Sequence, residues 1–224
     1  MEVIRNVHHI PGIVANPYLI IDPDGLTLVD TGLPGSHKKI LRYIASLGHR
    51  ADELKCILIT HADFDHVGGL APLKSASGAK VYAHPIEAEA IAAGHSSREL
   101  KPKNLLLRLL FRLTSKLVRV SPMKVDGFLN DGQELPALGG LRVLATPGHT
   151  PGHVSLFSES TGILFSGDSL ISTKEGLRGS HGANTWDQAR ADSSLRAQAA
   201  LGAQIICPGH GPVVFGAVGK IPTT

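Results

Sequence analysis

Short apolar segments with the spacing of buried strands alternate along the chain with segments of helical spacing. Two apolar runs, 18–21 and 26–29, flank an Asp-Pro-Asp-Gly turn and predict a β-hairpin. Further strands are predicted at 56–60, 79–83, 141–145, 154–157, 163–166 and 204–207. Helices are predicted over 36–47, just after the glycine pair at 68–69, over 86–93 and over about 186–200. Strands that alternate with helices predict an α/β architecture.

The length and composition are those of a globular protein. The chain has 224 residues, of which 42% are hydrophobic and 18% charged, enough for one sizeable core but short for two. We therefore expect a single domain over 1–224. No apolar run approaches the roughly 18 residues of a membrane-spanning helix, and the N-terminus lacks the apolar core of a secretory signal, so a cytoplasmic protein is predicted. Cys56 and Cys207 lie in apolar runs and are interpreted as buried thiols.

The positive charge is concentrated in one segment, 98–125. Residues 98–124 carry eight Lys or Arg and one acid, a local charge of +7, whereas the whole chain has a net charge of +3. Because the sequence shows no motif that reads nucleic-acid bases, we expect no nucleic-acid partner. Four of the basic residues follow one another at steps of 4, 4 and 3, namely Arg108, Arg112, Lys116 and Arg119. This spacing predicts an inserted amphipathic basic helix. It could be a solvated surface helix, a lid over a substrate site, or a helix that binds anionic membrane surfaces.

Candidate metal-binding side chains follow four of the predicted strands. They are His61, His149, Asp168 and His210. Ligands gather where strand ends converge, because the sheet holds the residues while loops bring them together. The segment after strand 56–60 adds three more candidates, Asp63, Asp65 and His66. Seven imidazoles and carboxylates are too many for one tetrahedral ion, but they suit two ions that share a bridging carboxylate and hold a nucleophilic hydroxide between them.

Simpler roles are available for each of these residues taken alone. Asp63 or Asp65 could cap the short helix that follows, and His149 or His210 could be a loop histidine bonded to backbone. The recurrence at four strand ends favours one joint site over separate roles. His153, in the sequence Pro-Gly-His-Val, is assigned a supporting rather than a ligating role.

Five motifs follow one another along the chain. They are Leu28-Val-Asp-Thr-Gly32, Thr60-His-Ala-Asp-Phe-Asp-His-Val-Gly-Gly69, Thr146-Pro-Gly-His-Thr-Pro-Gly-His153, Phe165-Ser-Gly-Asp168 and Cys207-Pro-Gly-His-Gly211. Together, and in this order, they resemble the metallo-β-lactamase-fold hydrolase superfamily over nearly the whole chain except the basic segment. The resemblance implies a four-layer αβ/βα sandwich of two mixed β-sheets with outer helices and a metal site along one edge. It is less specific for the substrate, since one fold hosts many chemistries.

The resemblance also implies a role for each candidate residue. It assigns the first metal ion to His61, Asp63 and His149 and the second to Asp65, His66 and His210, with Asp168 bridging them. Asp30 resembles the family's buried aspartate, which supports the ligands by hydrogen bonds and does not bind metal. In hydrolytic members a metal-bound hydroxide attacks a carbonyl or phosphorus centre, and Asp65 is the group expected to orient it and accept a proton.

The chain departs from the family signature His-x-His-x-Asp-His at the second histidine, which is Asp63 here. We expect two divalent ions, with zinc as the first choice. A carboxylate is a harder, anionic ligand that favours manganese or iron relative to zinc, so Asp63 makes these two metals the alternatives. β-Lactamases of the best-known zinc class keep that histidine and carry Cys where Asp168 stands. The chain therefore resembles glyoxalase II and lactonases more than a true β-lactamase.

Three classes of function are compatible with these residues. The first is a dinuclear metallohydrolase acting on a small ester, lactone or thioester, with phosphodiester cleavage as a variant. The second uses His61, His149 and Asp168 alone as an Fe(II) site, similar to that of persulfide dioxygenases on this fold. The third is a non-enzymatic scaffold, against which the seven competent ligands argue. We expect a small-molecule substrate and leave a homo-oligomer open; His181 and Asn184 are substrate-binding candidates by location only.

Overall fold

Two seven-stranded β-sheets make up the centre of the computed structural model, which describes residues 1–98 and 120–223. The first sheet contains, in spatial order, β1 (Glu2–Ile4), β2 (Val7–His9), β3 (Tyr18–Asp22), β4 (Gly25–Val29), β5 (Leu54–Leu58), β6 (Lys80–Ala83) and β7 (Gly127–Phe128). Strands β1 to β4 pair antiparallel, and β4 to β7 pair parallel. The sheet is therefore mixed, as predicted.

The second sheet is also mixed. Its strands are, in spatial order, β14 (Val214–Phe215), β13 (Ile205–His210), β11 (Ile163–Thr173), β10 (Val154–Ser158), β9 (Leu141–Ala145) and β8 (Glu134–Leu135), with β12 (Gly176–Gly179) paired to β11. Strands β11 and β13 run parallel, and their neighbours run antiparallel. The helices are α1 (His37–Ser46), α2 (Phe64–Val67), α3 (Leu70–Ser77), α4 (Pro85–Ala93) and α5 (Gln188–Ala199).

Alternate side chains of the central strands enter different hydrophobic cores. Tyr18 of β3 and Phe165 of β11 belong to the core between the two sheets, where their rings meet edge to face at 5.4 Å. Leu19 packs on the outer side of the first sheet, in a core that includes residues of α1, α3 and α4. Leu164 packs on the outer side of the second sheet with Leu195 of α5. Because strands buried on both faces need apolar residues at every position, these runs build the predicted four-layer αβ/βα sandwich, which is confirmed.

The two sheets are joined by hydrogen bonds at one edge. The backbone N–H of Val154 donates to the carbonyl of Thr60 at 3.0 Å, across the sheets. The Tyr18 hydroxyl donates to the carbonyl of Pro208 at 2.8 Å, and Asn16 donates through its side chain to the same carbonyl at 2.9 Å. The ends of β5 and β13 are thereby held in a fixed relation, with His61 just after β5 and His210 as the last residue of β13.

Most predicted elements are present, with bounds that differ by a few residues. The main correction concerns Asp168, which we expected just after a strand at 163–166. Strand β11 continues to Thr173, and the pairing of β11 with β13 shifts register on either side of Gly167. Gly167 has φ +50, a left-handed conformation that glycine adopts without strain. Asp168 therefore projects from a bulge inside β11 and does not follow the end of a strand.

The predicted basic helix between Leu105 and Val120 falls, except for Val120, on residues 99–119, which lie outside the described residues, so its three interpretations stay predictions. The first and last parts of the insertion are described. Arg98 enters the candidate site, and Val120 is buried in the core that α4 lines. Within residues 1–98 and 120–223, no helix combines the length and the apolar character needed to cross a membrane.

Candidate metal centre

All seven predicted ligands converge at the edge where the two sheets meet. They form overlapping groups of three, in each of which the ligand atoms lie within 4.8 Å of one another. The groups are His61, Asp63 and His149; Asp65, His66 and His210; and His61, His66 and Asp168. The first two match the two ligand sets that the resemblance implied, and the third lies between them.

The first group consists of buried side chains from both sheets. Oδ2 of Asp63 lies 3.2 Å from Nε2 of His149 and 3.7 Å from Nε2 of His61. Burial opposes ionisation of Asp63, but the hydrogen bond from His149 and the electrostatic effect of its neighbours, among them the Arg98 guanidinium, outweigh it and hold the pKa of Asp63 well below its ordinary value. Burial, followed by the charge of His66, lowers the pKa of His61. A charged carboxylate thus faces neutral imidazole nitrogen, which is the protonation state that metal binding requires.

The second group is more open to solvent. Nε2 of His210 lies 3.3 Å from Oδ2 of Asp65 and 3.4 Å from Oδ2 of Asp168. These hydrogen bonds, first that of Asp168 and then that of Asp65, raise the pKa of His210 to about 9. Burial works against a charged His66, but the carboxylates of Asp168 and Asp30 outweigh it and raise the pKa of His66 well above its ordinary value. Without an ion, protons occupy this group.

Asp168 lies between the two groups because of the bulge in β11. Its Oδ1 is 3.3 Å from Nε2 of His66, and its Oδ2 is 3.5 Å from Nε2 of His149. Gly209 of β13 packs directly against it: a Cβ added there would collide with Oδ1 of Asp168 and lie 2.9 Å from Cε1 of His66. A side chain at position 209 would therefore displace a ligand.

Asp30 fixes the orientation of the imidazoles without joining the groups. Its Oδ2 accepts hydrogen bonds from Nδ1 of His66 and from the Thr60 hydroxyl, both at 2.8 Å. Because the only hydroxyl proton of Thr60 goes to Asp30, Thr60 accepts from Nδ1 of His61 at 3.0 Å. In both histidines Nδ1 thus donates a proton, which directs Nε2 at the centre.

His153 positions Asp168 and is not available as a ligand. Its Nε2 accepts the backbone N–H of Asp168 at 3.1 Å, and its Nδ1 is 2.8 Å from the Thr146 hydroxyl. Burial, and then the charge of His149, lowers the pKa of His153 to about 3, so the ring is neutral. Both ring nitrogens have partners, which agrees with the supporting role predicted for this residue.

Asp63 occupies the N-cap position of α2, but its side chain does not cap that helix through any contact among the described residues. Its Oδ1 instead accepts from the Ser96 hydroxyl at 2.5 Å, and its Oδ2 accepts from Nη2 of Arg98 at 2.5 Å. Neither partner was predicted. Ser96 has no motif around it, and Arg98 begins a basic run, in which a local count of charge does not single it out.

Glu87 is a second residue that the sequence did not reveal. It is fully buried in α4, beneath the loops that carry His61 and His149. Its carboxylate accepts hydrogen bonds from four donor groups. The donors are the backbone N–H groups of Ala62 (2.8 Å) and Gly152 (2.9 Å) and the hydroxyls of Ser97 and Thr150 (both 2.7 Å). Glu87 thus ties together the loops that carry His61 and His149 and the segment that leads to Arg98.

Replacing Glu87 with alanine should destabilise the protein by roughly 3 kcal/mol or more, because two buried N–H groups lose their acceptor. Denaturant unfolding of the chelator-treated protein measures this without a contribution from metal binding. Glu89→Ala, at an exposed position of the same helix, is the matched control and should change the free energy of unfolding by about 0.5 kcal/mol or less. Equal effects of the two substitutions would contradict the role given to Glu87.

Three atoms that face the centre lack a hydrogen-bond partner among the residues described. They are Nε2 of His61, Nε2 of His66 and Oδ1 of Asp168, all buried. Buried polar atoms are almost always paired, and here all three unpartnered atoms face the same space. Two imidazole nitrogens and a carboxylate oxygen in this arrangement are the donor set that divalent transition metals prefer. The residues present therefore fit a metal centre.

Comparison with known proteins agrees with this geometry. The family description "Metallo-beta-lactamase superfamily" matches residues 10–210. The chain is 28% identical to "Probable metallo-hydrolase YflN" of Bacillus subtilis over 94% of this chain and 85% of that protein. It is 30% identical to a "Hydroxyacylglutathione hydrolase" of Pseudomonas entomophila over 62% of this chain and 41% of that protein. The solved structure of "TTHA1623 in a di-iron-bound form" superposes with a TM-score of 0.71 at 27% identity, covering 97% of this chain and 99% of the other. The chain belongs to the metallo-β-lactamase superfamily.

Proposed function

We propose that this protein is a dinuclear metallohydrolase that cleaves a small ester, lactone or thioester. The observation that carries the proposal is the pair of three-residue groups on either side of Asp168, each with its ligand atoms within 4.8 Å. A single iron site of His61, His149 and Asp168 would leave the other four residues of these groups without a role. The relative that was solved in a di-iron-bound form supports the use of both groups here.

The proposed ligands divide as the two groups do. His61, Asp63 and His149 would hold one ion, Asp65, His66 and His210 the other, and Asp168 both. Zinc, manganese or iron fits this mixture of nitrogen and oxygen donors. When bound, two such ions supply Lewis acidity towards the scissile carbonyl and lower the pKa of water, so that a nucleophile exists at neutral pH.

Asp65 is the residue that we assign to proton transfer. Among the three carboxylates of the centre its side chain is the most exposed, at 19% against 10% for Asp63 and 9% for Asp168. A general base has to reach both the attacking water and the bulk solvent, to which the proton is finally released. Asp30 and Thr60 hold the imidazoles still while this happens, which favours a reactive geometry.

Exposed apolar side chains beside the centre support a carbon-rich substrate. Phe64, between two proposed ligands, is 46% exposed, and Trp186 is 45% exposed. The backbone N–H of Trp186 donates to the carbonyls of Gly148 and His149, so its position is coupled to a ligand. Such side chains can receive the acyl or leaving group of a substrate. The similarity to a hydroxyacylglutathione hydrolase supports a thioester within this class.

The test combines metal analysis with substrate turnover. Elemental mass spectrometry of the freshly purified protein should give two ions per chain. The same preparation should hydrolyse acyl-glutathione thioesters or lactones. It should lose this activity when a chelator removes the ions and regain it when the ions are restored. One iron per chain together with oxygen uptake would contradict the proposal and indicate a site of His61, His149 and Asp168 alone.

Metal affinity should depend strongly on pH. His210 has to lose its proton to bind an ion, and its pKa in the metal-free protein is about 9. The apparent affinity of the ion at the second group should therefore rise with pH by at least about tenfold per pH unit between about pH 7 and pH 9, and more steeply where His66, whose pKa is also raised, releases its proton. Competition titrations with a chelator of known pH dependence measure this, and an affinity that is constant over the range would contradict it.

A further inference from the structure

Arg98 is a buried cation at the first group of ligands. Its side chain is only 8% exposed. Its Nη2 donates to Oδ2 of Asp63 at 2.5 Å, its Nε lies 3.5 Å from Oδ1 of the same carboxylate, and its Nη1 donates to the carbonyl of Asn184. The guanidinium thus contacts both oxygens of one proposed ligand and is itself held by a turn near Trp186.

The charge of Asp63 requires such a partner. The first group contains two imidazoles and one carboxylate, and Asp168, shared with the second group, adds another carboxylate. Carboxylates that are removed from water need a counter-charge when no ion is present. When an ion is present, two carboxylates would neutralise a divalent ion completely and reduce its effect on a substrate. Arg98 offsets one of the two charges in both situations.

The geometry also allows Asp63 to bind Arg98 and an ion together. A carboxylate has about four lone-pair directions, and the contacts of Arg98 use one on each oxygen. Oδ1 also accepts from Ser96, which leaves Oδ2 to face His149 at 3.2 Å. Arg98 and Ser96 therefore fix the plane of the carboxylate with Oδ2 directed at the imidazoles.

We propose that Arg98 is a positioning residue for the first metal ion, which orients Asp63 towards His61 and His149 and compensates its charge. This inference rests on the proposed dinuclear centre, and it adds a residue outside the seven ligands. It also separates the first residue of the basic segment from the rest: Arg98 acts on the metal centre and not on a membrane or a solvated face.

A double-mutant cycle on metal binding tests the proposal without any substrate. Zn²⁺ is titrated into the metal-free full-length protein against a chromophoric chelator, for the wild type, Arg98→Gln, Asp63→His and the double variant. Arg98→Gln should weaken one of two ions by about 10- to 100-fold, as is typical when the partner of a ligand is removed. In the Asp63→His background the ligand is neutral, so the same substitution should have no effect or strengthen binding.

Two further variants sharpen the result. Arg98→Lys keeps the charge but loses the planar fork, and should fall between the wild type and Arg98→Gln. Arg50→Gln removes the guanidinium of an Arg–Asp pair on the surface, where the partners are 75% and 61% exposed, and should leave Zn²⁺ binding unchanged.

The other outcomes overturn the proposal, and they separate it from the dinuclear one. Equal loss in both backgrounds would mean that Arg98 acts only through its bond to Asn184. Tighter binding in Arg98→Gln would mean that the guanidinium competes with the ion. If two Zn²⁺ ions bind and the affinity of neither changes in Arg98→Gln, the role of Arg98 is contradicted and the dinuclear centre is not. If one Zn²⁺ ion binds and its affinity falls in Arg98→Gln, the dinuclear centre is contradicted and the role of Arg98 is not.

Discussion

Asp168→Ala is expected to lower turnover by about three orders of magnitude or more and to reduce the bound metal from two ions to less than one. The two oxygens of Asp168 face His66 at 3.3 Å and His149 at 3.5 Å, one in each proposed ligand group. Its loss therefore affects both ions at once. Lewis-acid stabilisation by bound ions is worth several kcal/mol, and every 1.36 kcal/mol corresponds to a factor of about ten in rate.

Metal content and turnover of the variant have to be measured on the same folded preparation. Circular dichroism checks the fold, because the removed carboxylate is buried. Asp168→Asn preserves the shape and removes the charge, and should lose metal almost as severely. Asp24→Ala, at an exposed position of a turn, should retain both ions and full turnover. Two tightly bound ions in Asp168→Ala would contradict the shared ligand.

The sequence predicts the frame of this protein well because its strands are buried on both faces. Runs such as 56–60 and 204–207 contain apolar residues at consecutive positions, a pattern that few other elements produce. His61 and His210 come shortly after these apolar runs, so the sequence identifies them as candidate ligands. The same pattern cannot indicate where a strand bends, which is why Asp168 was expected after a strand and lies at a bulge within one.

The residues that support the site could not be predicted in the same way. Arg98 lies 35 positions after Asp63, and its sequence neighbours are basic, so a local count of charge describes it as part of a solvated surface. Glu87 lies in an alanine-rich helix next to an exposed acid, Glu89, and only tertiary packing distinguishes the two. Each role depends on which loop lies opposite in space, and this information is not local.

Asp65→Asn should separate metal binding from proton transfer. An amide oxygen can still ligate, so at saturating metal both ions should remain, but the amide cannot accept a proton. We expect turnover to fall by about 10²- to 10⁴-fold, the usual contribution of a general base, and the limb of the pH profile that reports the base to disappear.

The matched comparison is His210→Ala, which removes the neighbour 3.3 Å from Asp65 and should lose the second ion. If Asp65→Asn behaved like His210→Ala, with turnover restored by excess metal, Asp65 would be a ligand and not the base. Unchanged turnover at saturating metal would exclude Asp65 as the base. A loss of turnover with both ions retained would identify Asp65 as the group that moves a proton, and its side chain, the most exposed of the three carboxylates of this centre, is the best placed to pass that proton to solvent.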